Sequence, residues 1–575
     1  MAEIIIMPKL GFNMDEGQLV KWHKKQGDKV SKGEVLFEIN TDKTTMPVEA
    51  TIDGVVLKII LEEGEFAPVF TPIAVIGNQG ENPDSVLADE AKVSSTEPVV
   101  EEKTEEDIKV SANTSSNSYD FDITVIGGGP GGYVAAIKAA QEGKKTCIVE
   151  STHFGGVCLN EGCIPTKTLI KTANIYEEIK EAENFAIEGL DISKVIVSMT
   201  KLQNRKNAVV NQLVNGVKGL LIGNKVTVIE GKAAFVDHHT IAVGDKKITS
   251  ENFIIATGSH SFMPPFIEQE GNTNIITSKA ALELDDVPKT MAIIGGGVIG
   301  IEFAYLLNKL GTEVTVLELM ENILPMVDAE VASMAQKRLE KDGIKFKMGA
   351  KVKKVQDSKV IFEVKGVENH VEADVVLMAV GRTPNTEGLN AEGIGIEFDR
   401  KAIKTDLQLK TNIDNIYAIG DVNGKVMLAH TASHEGIIAV ENICGKNIQM
   451  NYDQIPSCIY LEPEIACIGM TEAQAKEKYT NVKIGKFPMI GNGKSLVEGD
   501  TEGIVKVIID GELGEILGVH MYGKHTTDMI AEIAVAMKLE ATAEEIIETI
   551  HPHPTVSESI PEAFMAAFGK AIHFL

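Results

Sequence analysis

Two stretches of this chain repeat one design, and together they restrict most of it to an α/β fold with two nucleotide sites. In the first, Phe121-Asp122-Ile123-Thr124-Val125-Ile126 enters Gly127-Gly128-Gly129-Pro130-Gly131-Gly132. A helical pattern follows from Tyr133, then a second apolar run, Thr146-Cys147-Ile148-Val149, ending at Glu150. In the second, Thr290-Met291-Ala292-Ile293-Ile294 enters Gly295-Gly296-Gly297-Val298-Ile299-Gly300. A helical pattern then runs to Leu310, and Glu313-Val314-Thr315-Val316-Leu317 ends at Glu318. Gly127, Gly129 and Gly132 supply G-x-G-x-x-G between strand and helix, as do Gly295, Gly297 and Gly300. The first glycine permits the tight turn, the second admits a pyrophosphate, and the third lets helix pack on strand. The helix N-terminus then faces the phosphates. Each acid falls 23 residues after its first glycine, the distance expected of a ribose-binding carboxylate. A lone glycine loop is a weak signal. Two complete strand–loop–helix–strand–acid units mean two dinucleotides.

Glu318 also discriminates between nicotinamides. A carboxylate there accepts a hydrogen bond from a ribose 2′-OH and repels a 2′-phosphate, and the following Leu319, Met320 and Glu321 offer that phosphate no cation. NAD is expected rather than NADP.

Between the two units lies Gly155-Gly156-Val157-Cys158-Leu159-Asn160-Glu161-Gly162-Cys163-Ile164-Pro165-Thr166-Lys167. On a regular helix, positions five apart are separated by roughly 8 Å along the axis, whereas a disulfide wants its Cα atoms about 4.4–6.8 Å apart. A Cys158–Cys163 bond therefore requires an irregular turn, which the neighbouring glycines permit. An arbitrary intracellular pair is most simply two buried thiols. Beside a nucleotide unit, an easily opened disulfide is the better reading. The dinucleotides are then a flavin and a nicotinamide, since a flavin can pass electrons between hydride and disulfide.

Cys-Leu-Asn-x-Gly-Cys-Ile-Pro-Thr-Lys resembles the redox-active motif of the dihydrolipoamide dehydrogenases, within the flavin disulfide reductases. The resemblance runs from about Tyr119 to the C-terminus. It implies FAD in the first unit and NAD in the second, with Lys167 near the isoalloxazine and Glu302 near the nicotinamide. It also identifies Ile416-Tyr417-Ala418-Ile419-Gly420-Asp421 as a second FAD motif whose acid binds the ribityl chain. Ile254 to Gly258 and Val376 to Arg382, with Gly381 at the nicotinamide, resemble the strands that connect the two nucleotide domains. Near the C-terminus, His553 and Glu558 are similar to the family's catalytic pair. A thiol of pKa about 8.5 must lose its proton before it attacks a disulfide. A histidine oriented by a carboxylate can take that proton. His551 has no acid at the matching spacing and reads as a decoy. In the family this end piece is the dimer interface and delivers its histidine to the partner subunit's disulfide, which implies a homodimer. His430 and His434 stand four apart, but with no third ligand nearby a metal is not expected.

Residues 1–77 read as a small all-β module of short apolar runs (Ile4–Ile6, Val35–Ile39, Val55–Ile60, Ile73–Ile76) between turn signals. Met7-Pro8-Lys9-Leu10-Gly11, Gly27-Asp28-Lys29-Val30 and Thr41-Asp42-Lys43 resemble a lipoyl domain. That resemblance implies a lipoyl group on Lys43, although the family usually follows its lysine with alanine and this chain has Thr44. Biotin carriers flank their lysine with methionine, which Asp42 and Thr44 are not. In residues 78–118, ten acids stand against three lysines with no aromatic residue. Such a stretch is expected to be a flexible acidic linker, with a reach of about 35 Å.

The expected architecture is therefore multidomain. It comprises a lipoyl-type β module (1–77), the linker (78–118), a Rossmann-like FAD domain (119–270, completed by 382–450), an NAD domain (271–381) and a C-terminal α/β dimerisation domain (451–575). Between the two nucleotide units, residues 170–250 read as one long amphipathic helix followed by short β pieces.

A net charge of −28 argues against nucleic acid or anionic membrane as a partner. No apolar run approaches a membrane span. Met-Ala-Glu-Ile-Ile-Ile lacks the pattern of a signal peptide, and six cysteines do not make a secreted disulfide framework. The cytoplasm is the expected compartment. The activity expected is oxidation of a protein-bound dihydrolipoyl group with reduction of NAD⁺, in company with an acyltransferase and other components of a 2-oxoacid, acetoin or glycine-cleavage complex. An NADPH-dependent reductase of a small disulfide or metal ion is one rival, opposed by Glu318 and the lack of a C-terminal cysteine pair. A non-catalytic lipoyl-bearing scaffold is the other, opposed by the presence of Cys158, Cys163 and His553.

Overall fold

The computed structural model describes residues 3–7, 16–40, 45–50, 52–68, 71–78, 80–81, 83, 119–265, 267–271 and 274–574. The chain divides into two compact units, 1–115 and 116–575. No helix among the described residues is long and apolar enough to cross a membrane.

The first unit is built from two antiparallel four-stranded sheets. One orders Glu3–Ile6, Pro72–Gly77, Gly54–Ile59 and Lys29–Val30; the other orders Thr45–Glu49, Val35–Asn40, Glu16–Trp22 and Phe66–Pro68. Leu19, Leu36, Phe37, Ile39, Val56, Ile73 and Ile76 form its core. Trp22 packs on Phe37 with ring centroids 4.8 Å apart, and its indole N–H donates to Leu61 O at 3.0 Å. Val35–Asn40 and Thr45–Glu49 pair from Val35↔Glu49 to Asn40↔Thr45. Lys43, the expected lipoylation site, falls between these strands in sequence and lies outside the described residues. Most of the expected linker lies outside them as well.

The second unit contains two sheets whose parallel strands match the two nucleotide designs. In the first, Thr227–Glu230, Thr146–Glu150, Phe121–Ile126 and Lys246–Ile255 lie side by side in parallel. Ile416–Ala418 returns much later in the chain to pair with Lys246–Ile255. Strands buried on both faces read as continuous apolar runs, which is why Phe121–Ile126 and Thr146–Glu150 stand out in the sequence. The second sheet orders Ile275–Thr277, Val375–Met378, Thr290–Ile294, Glu313–Glu318 and Lys345–Met348, all parallel. A third, antiparallel sheet orders Ser457–Ile459, Glu464–Gly469, Ile516–Gly523, Ile504–Asp510 and Val482–Pro488. Helices Thr526–Lys538 and Ser559–Ala566 pack their apolar residues into its core. Buried Lys506 joins this sheet to the second, its ammonium 2.7 Å from Asp328, which caps helix Ala329–Lys341, and 2.6 Å from Glu472.

The single long helix expected after residue 170 is instead two, Cys163–Lys180 and Met199–Gly223. The first ends at Glu181 and is followed by the 3-10 turn Ala182–Phe185, which Ala186 closes with positive φ. The second restarts at Ser198, whose hydroxyl accepts the Lys201 N–H. An amphipathic pattern carried across the gap hid a break made by local capping rather than by proline.

Candidate active site

The two glycine loops differ in detail but agree in mechanics. A Cβ on Gly132 would sit 1.8 Å from Gly127 O, and one on Gly300 would sit 2.0 Å from Gly295 O. At both places the helix crosses the loop too closely for any side chain. The middle glycines are different. Gly129 has no neighbour nearer than 3.9 Å to such a Cβ, and Gly297 has none within 4 Å. Gly129 and Gly297 are the N-caps of helices Pro130–Gln141 and Val298–Lys309, and neither helix start has a side-chain cap. Open space before uncapped N–H groups at the positive end of a helix suits a pyrophosphate. Glu150 accepts from Gly128 N at 2.6 Å and Thr152 N at 2.7 Å; Glu318 accepts from Gly296 N at 2.5 Å and Met320 N at 2.7 Å. Each acid thus holds its own glycine loop, with lone pairs left over for a ribose. Gly381 follows the strand Val375–Met378 with φ +137 and accepts from Phe262 N at 2.9 Å.

The cysteines sit on either side of a broken helix. Cys158 belongs to Gly156–Asn160 and Cys163 opens Cys163–Lys180, with Glu161 and Gly162 in non-helical conformations between them. The irregular turn required by their spacing is present. Both are thiols here, and their side chains hydrogen-bond to each other. That hydrogen bond from Cys158 outweighs burial and, with the Lys167 ammonium, holds the Cys163 thiol below the ordinary thiol range. Cys158, which keeps the shared proton and is itself buried, is pushed far above the ordinary thiol range. The reduced pair should therefore keep reacting with a small aromatic disulfide at pH values below the ordinary thiol range, slowing only once the lowered Cys163 midpoint is passed, because the thiolate is the nucleophile. Lys167→Met should move that midpoint upward. An unmoved midpoint would show that the ammonium does not stabilise the thiolate.

Lys167 and Glu302, placed by sequence at different cofactors, meet. The ammonium lies 2.6 and 2.8 Å from the two carboxylate oxygens, and the Glu302 side chain is only 4% exposed. Tyr460 completes the group: its N–H donates to Glu302 at 3.0 Å and its ring lies 4.7 Å beneath the Lys167 ammonium. Helices from both nucleotide units and a loop of the third sheet therefore converge on one ion pair beside the cysteines. Sequence reasoning did not find Tyr460, since nothing local distinguishes it.

Asp421 lies in the turn Gly420–Asn423 after the returning strand. The Ser259 hydroxyl donates to it, and Arg382 donates to Ser259 Oγ and O at 2.7 Å each. Glu435, fully buried in helix Ala429–Ile443, accepts from Gly420 N at 2.5 Å, Tyr452 Oη at 2.5 Å and Asn423 Nδ2 at 3.1 Å. Burial raises its pKa against those bonds. In the sequence, Met427 to His430 followed by Glu435-Gly436 resembles the family's flavin-contacting segment. His430 spends its Nε2 on Pro456 O at 2.8 Å and His434 is exposed. No cluster of three metal-ligating side chains occurs among the described residues.

His553 Nδ1 lies 3.0 Å from Glu558 Oε1, on a ring that is 80% exposed. A carboxylate only accepts, so Nδ1 carries the proton and Nε2 keeps a lone pair facing outward. Burial works to raise the Glu558 carboxyl; hydrogen bonds from Thr555 N and His553, together with nearby His551, outweigh it and hold the group below the usual carboxylate value. His551 is not idle. Its side chain is 6% exposed and its Nε2 lies 2.8 Å from Glu532, 19 residues away.

Comparison with known proteins agrees with this geometry. Residues 121–436 match the pyridine nucleotide-disulphide oxidoreductase family, residues 455–564 its dimerisation domain, and residues 3–76 the family described as biotin-requiring enzymes, biotin/lipoyl. The chain is 44% identical over 467 residues to a dihydrolipoyl dehydrogenase of Bacillus subtilis, covering 79% of this chain and 98% of the relative. A second from the same organism is 41% identical over 457 residues, covering 78% and 99%. Among solved structures, the HOCl-induced flavoprotein disulfide reductase RclA from Escherichia coli superposes with a TM-score of 0.68 at 29% identity, covering 77% of this chain and 99% of that one. With a family match over more than half its length and relatives above 40% identity, the chain belongs to the dihydrolipoyl dehydrogenases of the pyridine nucleotide-disulphide oxidoreductase family.

Proposed function

We propose that the protein oxidises protein-bound dihydrolipoyl groups and reduces NAD⁺. The observation that carries this reading is the Cys158/Cys163 pair beside Lys167 and Glu302, flanked by two open glycine cradles. FAD held by Gly127, Gly129, Gly132, Glu150, Lys167 and Asp421, and NAD held by Gly295, Gly297, Gly300, Glu302, Glu318 and Gly381, supply the two-electron relay between thiols and nicotinamide. The remaining chemistry belongs to the chain. His553 takes the proton of a substrate thiol on Nε2, while Glu558 fixes its tautomer and stabilises the charged ring. The substrate thiolate attacks Cys158 of the oxidised pair; the Cys158–Cys163 bond breaks and Cys163 leaves as a thiolate supported by Lys167. The substrate's second thiol then attacks the mixed disulfide, releasing a lipoyl disulfide and the Cys158 thiol. Two electrons have passed from the substrate to the cysteine pair.

The dimerisation domain supports a homodimer, in which His553 of one chain serves the cysteines of the other. The lipoyl-type module supports a lipoyl group on Lys43 and assembly with an acyltransferase in a multienzyme complex of the cytoplasm. Reduction of a small disulfide or a metal ion is favoured less, since the flavoprotein reductase it resembles is 29% identical and the dihydrolipoyl dehydrogenases 41–44%. Two measurements test the reading. The purified holoenzyme should turn over dihydrolipoamide with NAD⁺, and intact-mass analysis after expression with lipoate should place a lipoyl group on the wild type and none on Lys43→Arg. NAD⁺ reduction no faster with dihydrolipoamide than with glutathione would overturn the first part. An unmodified Lys43 would overturn the second.

A further inference from the structure

His551 reads from sequence as a decoy because no acid stands at catalytic spacing. In the fold, both of its ring nitrogens are engaged. Nδ1 lies 3.0 Å from the Thr549 carbonyl oxygen and Nε2 lies 2.8 Å from the Glu532 carboxylate on helix Thr526–Lys538. A neutral imidazole offers one donor and one acceptor. A carbonyl and a carboxylate both accept, so this environment suits a ring that donates at both nitrogens. Glu532 thus gives the ring a carboxylate partner on a neighbouring helix.

The need for such an anchor follows from the open space that the loop borders. Pro554, Thr555, Val556 and Ser557 border an open depression of about 390 Å³ that Glu532 also lines. Apolar packing therefore holds only part of the segment that carries His553, and hydrogen bonds hold the rest. Thr555 Oγ1 donates to Pro552 O at 2.7 Å, Asn492 Nδ2 donates to Thr555 O at 3.0 Å, and Glu558 accepts from Thr555 N at 2.9 Å. All three act after residue 551. At the N-terminal root of the loop, His551 holds the chain to the helix.

We propose that His551 is a positioning residue for the dihydrolipoyl reaction: by donating to Glu532 and to Thr549 O it fixes the root of the loop and so sets where His553 Nε2 lies. The inference rests on the reading of His553 as the base. His551 also helps to hold the Glu558 carboxyl, which orients that base, in its ionised form.

The test uses the full-length holoenzyme and reads its two half-reactions separately by stopped flow. His551→Gln, similar in reach, can donate to Glu532 but turns its carbonyl, or nothing, toward Thr549 O. His551→Lys places donors, and no acceptor, opposite both oxygens. Oxidation of dihydrolipoamide should slow by about tenfold to a hundredfold in His551→Gln, because a misplacement of about 1 Å can cost about 100-fold. His551→Lys should recover most of that loss, and flavin reduction by NADH should be unchanged in both variants. His551→Gln as fast as wild type would overturn the proposal. So would His551→Lys no faster than His551→Gln, or equal losses in both half-reactions. A normal thiol half-reaction in His553→Gln would instead overturn the underlying assignment of the base, and is scored separately.

Discussion

His553→Gln is expected to slow dihydrolipoamide oxidation by about 10²–10⁴-fold, the usual weight of a general base, while leaving flavin reduction by NADH intact. The substitution is chosen for its geometry. Glutamine can keep a donor toward Glu558, which His553 now meets at 3.0 Å, but it has no basic nitrogen in place of Nε2. Only the thiol half-reaction needs a proton removed from sulfur, so only that step should respond. Glu558→Gln should cost less, since the ring would keep its lone pair and lose the carboxylate that fixes its tautomer and stabilises its charge. Stopped-flow measurement of both half-reactions decides this. Equal losses in the two would show that the substitution had damaged the fold or the dimer rather than removed a base.

The parts of this site legible in the sequence are those built from local chain. Gly127 to Glu150 and Gly295 to Glu318 form contiguous designs, and each acid grips its own loop through hydrogen bonds to backbone only a few residues or one unit away. His553 and Glu558 are five apart and paired through a single loop. Long-range partners were not legible. Tyr460 reaches Glu302 from 158 residues away, Arg382 reaches Ser259 across 123, and Glu532 gives His551 a purpose that its neighbours in sequence do not suggest. The same contrast holds for the fold. Val35–Asn40 and Pro72–Gly77 are apolar runs and were found, whereas Glu16–Trp22 and Phe66–Pro68 pair with each other and carry too few apolar residues to announce a strand. Lys167 and Glu302 are the instructive case. A resemblance assigned them to different cofactors, and only the folded chain brings them within 2.6 Å of each other.

Glu318→Ser combined with Leu319→Arg is expected to reverse the nicotinamide preference, by about 10-fold to 150-fold on each side. Glu318 now presents a carboxylate next to Gly296 and Met320, and Leu319 is 63% exposed beside it. Removing the carboxylate deletes an acceptor for the ribose 2′-OH and a charge that repels a 2′-phosphate. The arginine adds a donor fork for that phosphate at a position where no packing must be displaced. A hydrogen bond to a charged group contributes about 1.5–3 kcal/mol, which is the source of the range. The serine keeps one acceptor near Gly296 N, so the loop need not lose its shape entirely. The twin site supplies the control. Glu150→Ser should loosen FAD, read as faster release of flavin fluorescence on dilution, without altering the ratio of kcat/KM for NAD and NADP. If the ratio instead shifts with Glu150 and stays fixed with Glu318, the first glycine unit holds the nicotinamide and the second the flavin, and the order of the two cofactors along the chain is the reverse of the one proposed.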